Sequence, residues 1–264
     1  MEGQPVLKHE LIKQITEYWN RQPCNINHSL SEPGSEQFFL ENSQRRYFVE
    51  PHLRDLAQFA QYQGRRVLEI GCGLGADAVE FAQHGAAYVG IDLSAESVAL
   101  ARRRFELFGL KGQFLVMDGA NTAAMAELGH FDLVYSCGVL HHYPDMAGVI
   151  SNIHRALEPG GDFRFLVYAK DSWKYAMIQA GLDQYEAQAD CPYAQAFTRD
   201  EISSYLTAFD IVSIDQAHCF MYNVPKYRQG QYELEPWFAA MSEEMRQAVR
   251  KHLGWHLLVH ARKR

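Results

Sequence analysis

Read for its apolar positions, the chain changes period several times. Residues 5–20 carry Leu7, Leu11, Ile12, Ile15, Tyr18 and Trp19 at helical spacing. A polar stretch with Pro23, Asn25, Asn27, Pro33 and Gly34 reads as a loop, and helical spacing returns over 36–62. From residue 64 the pattern shortens. Apolar runs at 67–70, 86–92, 113–119, 131–136 and 162–168 are separated by helical patterns. Short apolar strands alternating with helices indicate an α/β protein with a Rossmann-like, doubly wound parallel sheet. A helix near 198–208 and a strand at 209–218 continue it, and 255–261 reads as a last strand. The segments 170–197 and 219–252 interrupt the alternation and are rich in aromatic residues. The expected organisation is a helical cap over 1–63 and an α/β domain over 64–264, with insertions at 170–197 and 219–252.

Bulk properties narrow the class. A chain of 264 residues with 47% hydrophobic and 22% charged positions has the composition of a globular protein with a sizeable core. The formal charge of −7 argues against a nucleic-acid partner, which needs a basic face. Arg102-Arg103-Arg104 and the Ala-Arg-Lys-Arg tail read as solvated helix and tail charge. The N-terminus lacks a basic-then-apolar signal, and no apolar run reaches membrane-spanning length. Cysteines 24, 72, 137, 191 and 219 form no C-x-x-C pair and read as reduced thiols, so a cytoplasmic location is expected.

The chemistry concentrates at 67–75, Val-Leu-Glu-Ile-Gly-Cys-Gly-Leu-Gly, an apolar strand entering a loop with glycine at alternate positions. Such a loop turns tightly, lets a ligand press on main-chain atoms, and opens a helix whose N-terminus favours an anionic group. Alone it is ambiguous. Gly71, Gly73 and Ala76 fit the dinucleotide pattern G-x-G-x-x-G/A, whereas Glu69, Gly71, Gly73 and Gly75 fit E-x-G-x-G-x-G. About twenty residues on, a second strand ends in Asp92, at the place where a carboxylate accepts ribose hydroxyls. A third strand ends in Asp118. In structural terms alone, each acid is also an ordinary cap or turn residue.

Three further landmarks follow in order: the strand ending at Ser136 and Cys137, the element Leu140-His141-His142-Tyr143-Pro144-Asp145, and the turn Leu157-Glu158-Pro159-Gly160-Gly161. Together with the glycine loop and the two acids they resemble the class I S-adenosylmethionine-dependent methyltransferases, over residues 66–169. The resemblance implies seven strands in the order 3-2-1-4-5-7-6 with strand 7 antiparallel. It also implies S-adenosylmethionine as cofactor and a small-molecule acceptor. Gly71, Cys72 and Gly73 then pack on the methionyl tail and ribose, with Glu69 orienting the loop or meeting the methionyl ammonium. Asp92 and the following Leu93 take the ribose side, Asp118 and Gly119 the adenine, and Ser136 and Cys137 offer main-chain groups to the ammonium. The alternatives are a nicotinamide-dependent oxidoreductase using the same loop, and a cofactor-binding protein without transferase activity.

His141 and His142 are adjacent and point in different directions, which makes one metal bound by both geometrically awkward, and no other ligand spacing appears in the sequence. No metal is expected, and His256 and His260 read as surface and edge residues. Methyl transfer needs alignment and exclusion of water, with a base only where the acceptor must lose a proton. His142 is the candidate for that base, and His141 reads as its support. The phrase from Tyr18 to His28 is similar to the start of a bacterial group of methyltransferase-domain proteins. It marks Tyr18 and Asn27 as candidate cofactor or acceptor contacts in a lid. The aromatic residues of the insertions suit either an acceptor wall or cover for the sheet.

Overall fold

The computed structural model describes residues 3–182 and 191–264, so part of the 170–197 insertion lies outside the described residues. The N-terminal segment forms α1 (Gly3–Arg21), α2 (Glu36–Val49) and α3 (His52–Ala57). The continuous helical pattern over 36–62 is therefore broken. Pro51 supplies no N–H and drives the residue before it out of the helical region. Glu50 accordingly leaves the helix at φ −123° and ψ 59°, and a new helix starts at His52.

The sheet comprises β1 (Arg66–Ile70), β2 (Ala87–Asp92), β3 (Gln113–Val116), β4 (Phe131–Cys137), β5 (Leu157–Ala169), β6 (Ala196–Phe197), β7 (Phe209–Ala217) and β8 (His256–Lys263). Its order is β3-β2-β1-β4-β5-β8-β7, with the two-residue β6 beside β5 off that path. This is the expected order with one short strand added. β8 runs antiparallel between β5 and β7. Strands β1, β2 and β4 are covered on both faces, which is why they read as nearly continuous apolar runs. β7 is an edge, and its Ile211 and Val212 face solvent. The turn at 157–161 is absorbed into β5 as a register irregularity opposite β4.

Helices α4 (Ala76–Gln83), α5 (Ala95–Leu107), α6 (Thr122–Glu127), α7 (Met146–Ala156), α8 (Trp173–Gln179) and α9 (Arg199–Tyr205) connect the strands. The 219–252 insertion holds α10 (Val224–Tyr227), α11 (Pro236–Ala239) and α12 (Glu243–Leu253). Alternate strand residues feed two cores. Val67, Leu133 and Tyr135 pack with α3, α4 and α5 through Leu53, Phe81 and Phe105. Leu68, Val134 and Phe163 pack on the other face with α7 and α9 through Ile150, Ile153 and Ile202.

The inner position of β8 corrects the reading of its histidines. His256 is 6% exposed, and His260 Nε2 lies 2.8 Å from Asp162 Oδ1, so neither is a surface edge residue. That contact, with the Tyr62 hydroxyl, outweighs partial burial and holds the Asp162 carboxyl down at about 2.

Candidate active site

A cleft opens at the carboxyl ends of β1, β2 and β4, where helical connections depart to both faces. Its floor is the glycine loop. Gly71, Gly73 and Gly75 have φ of 78°, 49° and 71°, the left-handed region that a Cβ disfavours. The loop is fixed to β2: the Gly71 and Cys72 N–H groups donate to the Ile91 carbonyl at 2.7 and 3.1 Å. The Gly73 N–H donates to Asp92 Oδ2 at 2.9 Å. A Cβ on Gly71 would lie 2.2 Å from Val139, so that glycine serves the protein's own packing. A Cβ on Gly73 or Gly138 meets nothing within 4 Å, and both glycines border the cleft.

Asp92 Oδ1 accepts the Ser94 N–H at 2.8 Å, so this carboxylate ties the loop to the start of α5, where Ser94 is the N-cap. Burial raises its pKa. Glu69 is buried under the loop and accepts the Tyr88 hydroxyl at 2.5 Å. Burial, with Asp77 close by, holds its carboxyl well above the usual range. Cys72, Leu93, Cys137 and His142 also line the cleft. Burial pushes the Cys137 thiol up to about 12 even though Arg46 Nη2 stands 3.3 Å away, which makes it a poor nucleophile at neutral pH.

No motif or spacing announces the charged network behind the loop. Arg46 of α2 donates through Nε and Nη2 to both oxygens of Asp77 in α4, at 3.1 and 2.7 Å. The Tyr47 and Tyr135 hydroxyls add bonds at 2.7 and 3.2 Å. Burial opposes the Asp77 charge, but Arg46 and these donors keep its pKa below the usual value. Asn42 completes this wall. Its Nδ2 donates to the Asn25 carbonyl at 2.6 Å, whereas its buried Oδ1 has no hydrogen-bond partner among the described residues.

His142 Nδ1 lies 2.7 Å from the Tyr193 carbonyl. A carbonyl only accepts, so the ring proton sits on Nδ1 and Nε2 carries the lone pair. Trp19 of α1 meets this ring edge-on, with centroids 5.3 Å apart. The two neighbouring rings do not diverge as expected: the His141 ring lies beside that of His142, with centroids 4.2 Å apart, and on Tyr168, with centroids 3.8 Å apart.

The remaining expected residues lie off the cleft wall. Trp19 and Asn25 line it, whereas Tyr18 packs on Trp19 and Asn27 belongs to the short turn beyond. Ser136 is buried and donates to the Ile70 carbonyl, joining β4 to β1. Asp118 Oδ1 accepts the Ala120 N–H at 2.8 Å, and the Gly119 N–H donates to the Tyr143 hydroxyl at 3.2 Å. Tyr143 itself lines the cleft, whereas Asp118 and Gly119 do not. Tyr222 and Lys226 have the Tyr-x-x-x-Lys spacing found in short-chain redox enzymes, but Lys226 is ion-paired to Glu233 and neither residue borders the cleft. A further grouping has no signal in sequence spacing: Glu50, His52 and His256 converge outside the cleft.

Comparison with known proteins agrees with this architecture. Residues 67–161 match the methyltransferase domain family. A ubiquinone biosynthesis O-methyltransferase of Thiobacillus denitrificans is 32% identical over 124 residues, covering 47% of this chain and 53% of that protein. A fatty-acid O-methyltransferase of Mycolicibacterium smegmatis is 31% identical over 150 residues, 54% of this chain and 53% of the relative. The chain thus spans about half the length of the curated relatives it matches. The crystal structure of magnesium protoporphyrin IX methyltransferase from Synechocystis PCC 6803 with bound SAH superposes with a TM-score of 0.61 at 16% identity, covering 96% of this chain and 100% of that one. At that identity the likeness is one of fold.

Proposed function

Since the chain belongs to the class I S-adenosylmethionine-dependent methyltransferases, we propose that its cleft binds S-adenosylmethionine and that the protein methylates a small-molecule acceptor. The observation that carries the reading is the pair Gly73 and Gly138, whose missing side chains leave open space beside a loop already fixed in shape. The unsatisfied Asn42 Oδ1 adds a buried acceptor on the same wall, suited to an ammonium or hydroxyl group. When bound, the cofactor supplies a methyl group already activated on a sulfonium.

The protein's part is to bind, orient and exclude water. The Asp92 carboxylate holds the loop and keeps lone pairs for a ribose diol, since each oxygen accepts more than one bond. Glu69, Asp77 and Asn42 add oxygen acceptors to the wall that an ammonium can meet, with Arg46 balancing the Asp77 charge. Trp19 and Tyr143 supply apolar cover. His142, with its lone pair on Nε2, takes the proton of an acceptor hydroxyl or amine. By name, the matched relatives are O-methyltransferases of ubiquinone biosynthesis and of fatty acids. An O–H or N–H acceptor of modest size fits a base held at the cleft wall. The free state of all five cysteines is consistent with a reducing, cytoplasmic setting.

Calorimetric titration with S-adenosylmethionine, S-adenosylhomocysteine and NADH tests the cofactor. Micromolar binding of the two sulfur ligands without NADH is expected, and NADH binding alone would overturn the reading. Asp92→Ala should weaken cofactor binding by about 1.5–3 kcal/mol, the range for a hydrogen bond to a charged group. Gly73→Val should abolish binding in a protein whose melting shows it folded. Unchanged affinity in both variants would remove the loop from the site.

A further inference from the structure

We propose that Glu50, His52 and His256 form a binding site for a divalent transition-metal ion such as Zn2+, separate from the glycine-loop cleft. None of these three residues has a part in the cofactor reading. One ligand atom from each residue lies within 4.8 Å of the others. His52 Nε2 is 3.0 Å from His256 Nδ1, and His256 Nδ1 is 3.7 Å from Glu50 Oε1. Ligands about 2.0–2.1 Å from a tetrahedral ion stand roughly 3.3 Å apart, so both separations bracket the required value. Two imidazoles and one carboxylate with a fourth position open is a donor set that suits zinc.

Local structure explains why these side chains meet. The break at Pro51 sets Glu50 at the end of α2 and His52 at the start of α3. β8 begins at His256 and is held between β5 and β7, so the third ligand sits on a rigid strand. His218 stacks on the His256 ring with centroids 4.6 Å apart. Its own backbone is left-handed at φ 67°, a strained conformation for a residue with a Cβ. A groove lined by His52, His218, Cys219 and Met221 gives an ion access.

The outer support is also present. Glu50 turns Oε2 toward Arg46 Nη1 at 3.8 Å while Oε1 faces His256. Arg46 is the residue that pairs with Asp77 at the cleft, so the carboxylate joins the two sites. On binding, the single proton between His52 and His256 moves to the outer nitrogen of one ring, and no net proton is released.

The test is zinc titration of the chelator-treated full chain, free of any histidine tag. One saturable ion per chain at micromolar zinc is expected. His52→Ala and Glu50→Gln should each weaken it at least about 100-fold, above the roughly 10–100-fold that loss of an orienting partner brings. Near-ultraviolet circular dichroism checks that the variants remain folded. Absence of saturable uptake would show that the His52–His256 hydrogen bond is the whole function of the cluster and would overturn the proposal. Uptake that survives both substitutions would put the ion elsewhere and would equally overturn it. Should either variant misfold, X-ray absorption of zinc in the unaltered protein decides. A shell of two imidazoles and oxygen supports the site, and one of thiolates or oxygen alone overturns it.

Discussion

His141 and His142 are neighbours in sequence with different environments. His142 borders the cleft with its proton fixed by the Tyr193 carbonyl, and His141 is buried against Tyr168. Burial, with His142 beside it, holds the His141 ring well below its ordinary pKa. The folded state therefore binds fewer protons than the unfolded state once the pH drops below about 6.5, the unfolded value. Stability is fully present above that pH and is lost as pH falls toward the folded pKa, by up to about 1.4 kcal/mol per pH unit for each such group. Denaturant unfolding between neutral and mildly acid pH should show the decline. His141→Phe should remove part of it, leaving the share of His52 and His256, whose pKa values burial also lowers. An unchanged slope would mean that His141 titrates normally. If His142 is the base, His142→Ala should reduce kcat by about 10²–10⁴-fold on an acceptor with an ionisable proton. At this scale the glycine loop and Asp92 were legible because their partners are local: a strand, a turn and a helix start within one βαβ unit. Arg46 and Asp77 were not, since residues 31 apart on separate helices give no pattern distinct from surface charge.

Two elements meet through that pair. Arg46 is 12% and Asp77 2% exposed in their side chains, so α2 is fastened to α4 by an ion pair shielded from water. Arg46→Met would leave a buried carboxylate without its cation, a change that typically costs about 3–5 kcal/mol. Thermal unfolding should register it as a large loss, and a change under about 1 kcal/mol, typical of exposed pairs, would contradict the shielded geometry. The division of 36–62 into α2 and α3 follows from Pro51, a signal present in the sequence but outweighed by the apolar spacing on both sides. The choice between Tyr18 and Trp19, or Asn27 and Asn25, depends on rotation about α1 and on the left-handed turn at Asn25 (φ 66°). Neither is encoded in local periodicity.

For the whole molecule, the doubly wound α/β class was legible because buried parallel strands alternate with helices, whereas the strand order came only with the resemblance carried by the glycine loop and the landmarks after it. The content of the 219–252 insertion was not legible, since it rests on partners distant in sequence: α12 packs on β7, and Tyr232 meets Phe48 of α2. β8 closes that sheet from the inside. Deleting residues 256–264 would open a gap between β5 and β7 and expose two long strand edges. Such a chain should aggregate on size-exclusion chromatography, and a monomer with native circular dichroism would refute the inner role of the strand. The clamps on the glycine loop bear on binding as well. With Gly71, Cys72 and Gly73 amides already bonded to Ile91 and Asp92, the loop is preorganised and surrenders little conformational entropy to a ligand. Hydrogen exchange at those three amides should be slow with or without S-adenosylhomocysteine. The protection gained on binding should instead appear in α1 and around Asn25, where Trp19 and Asn25 line the cleft and would be covered by the ligand.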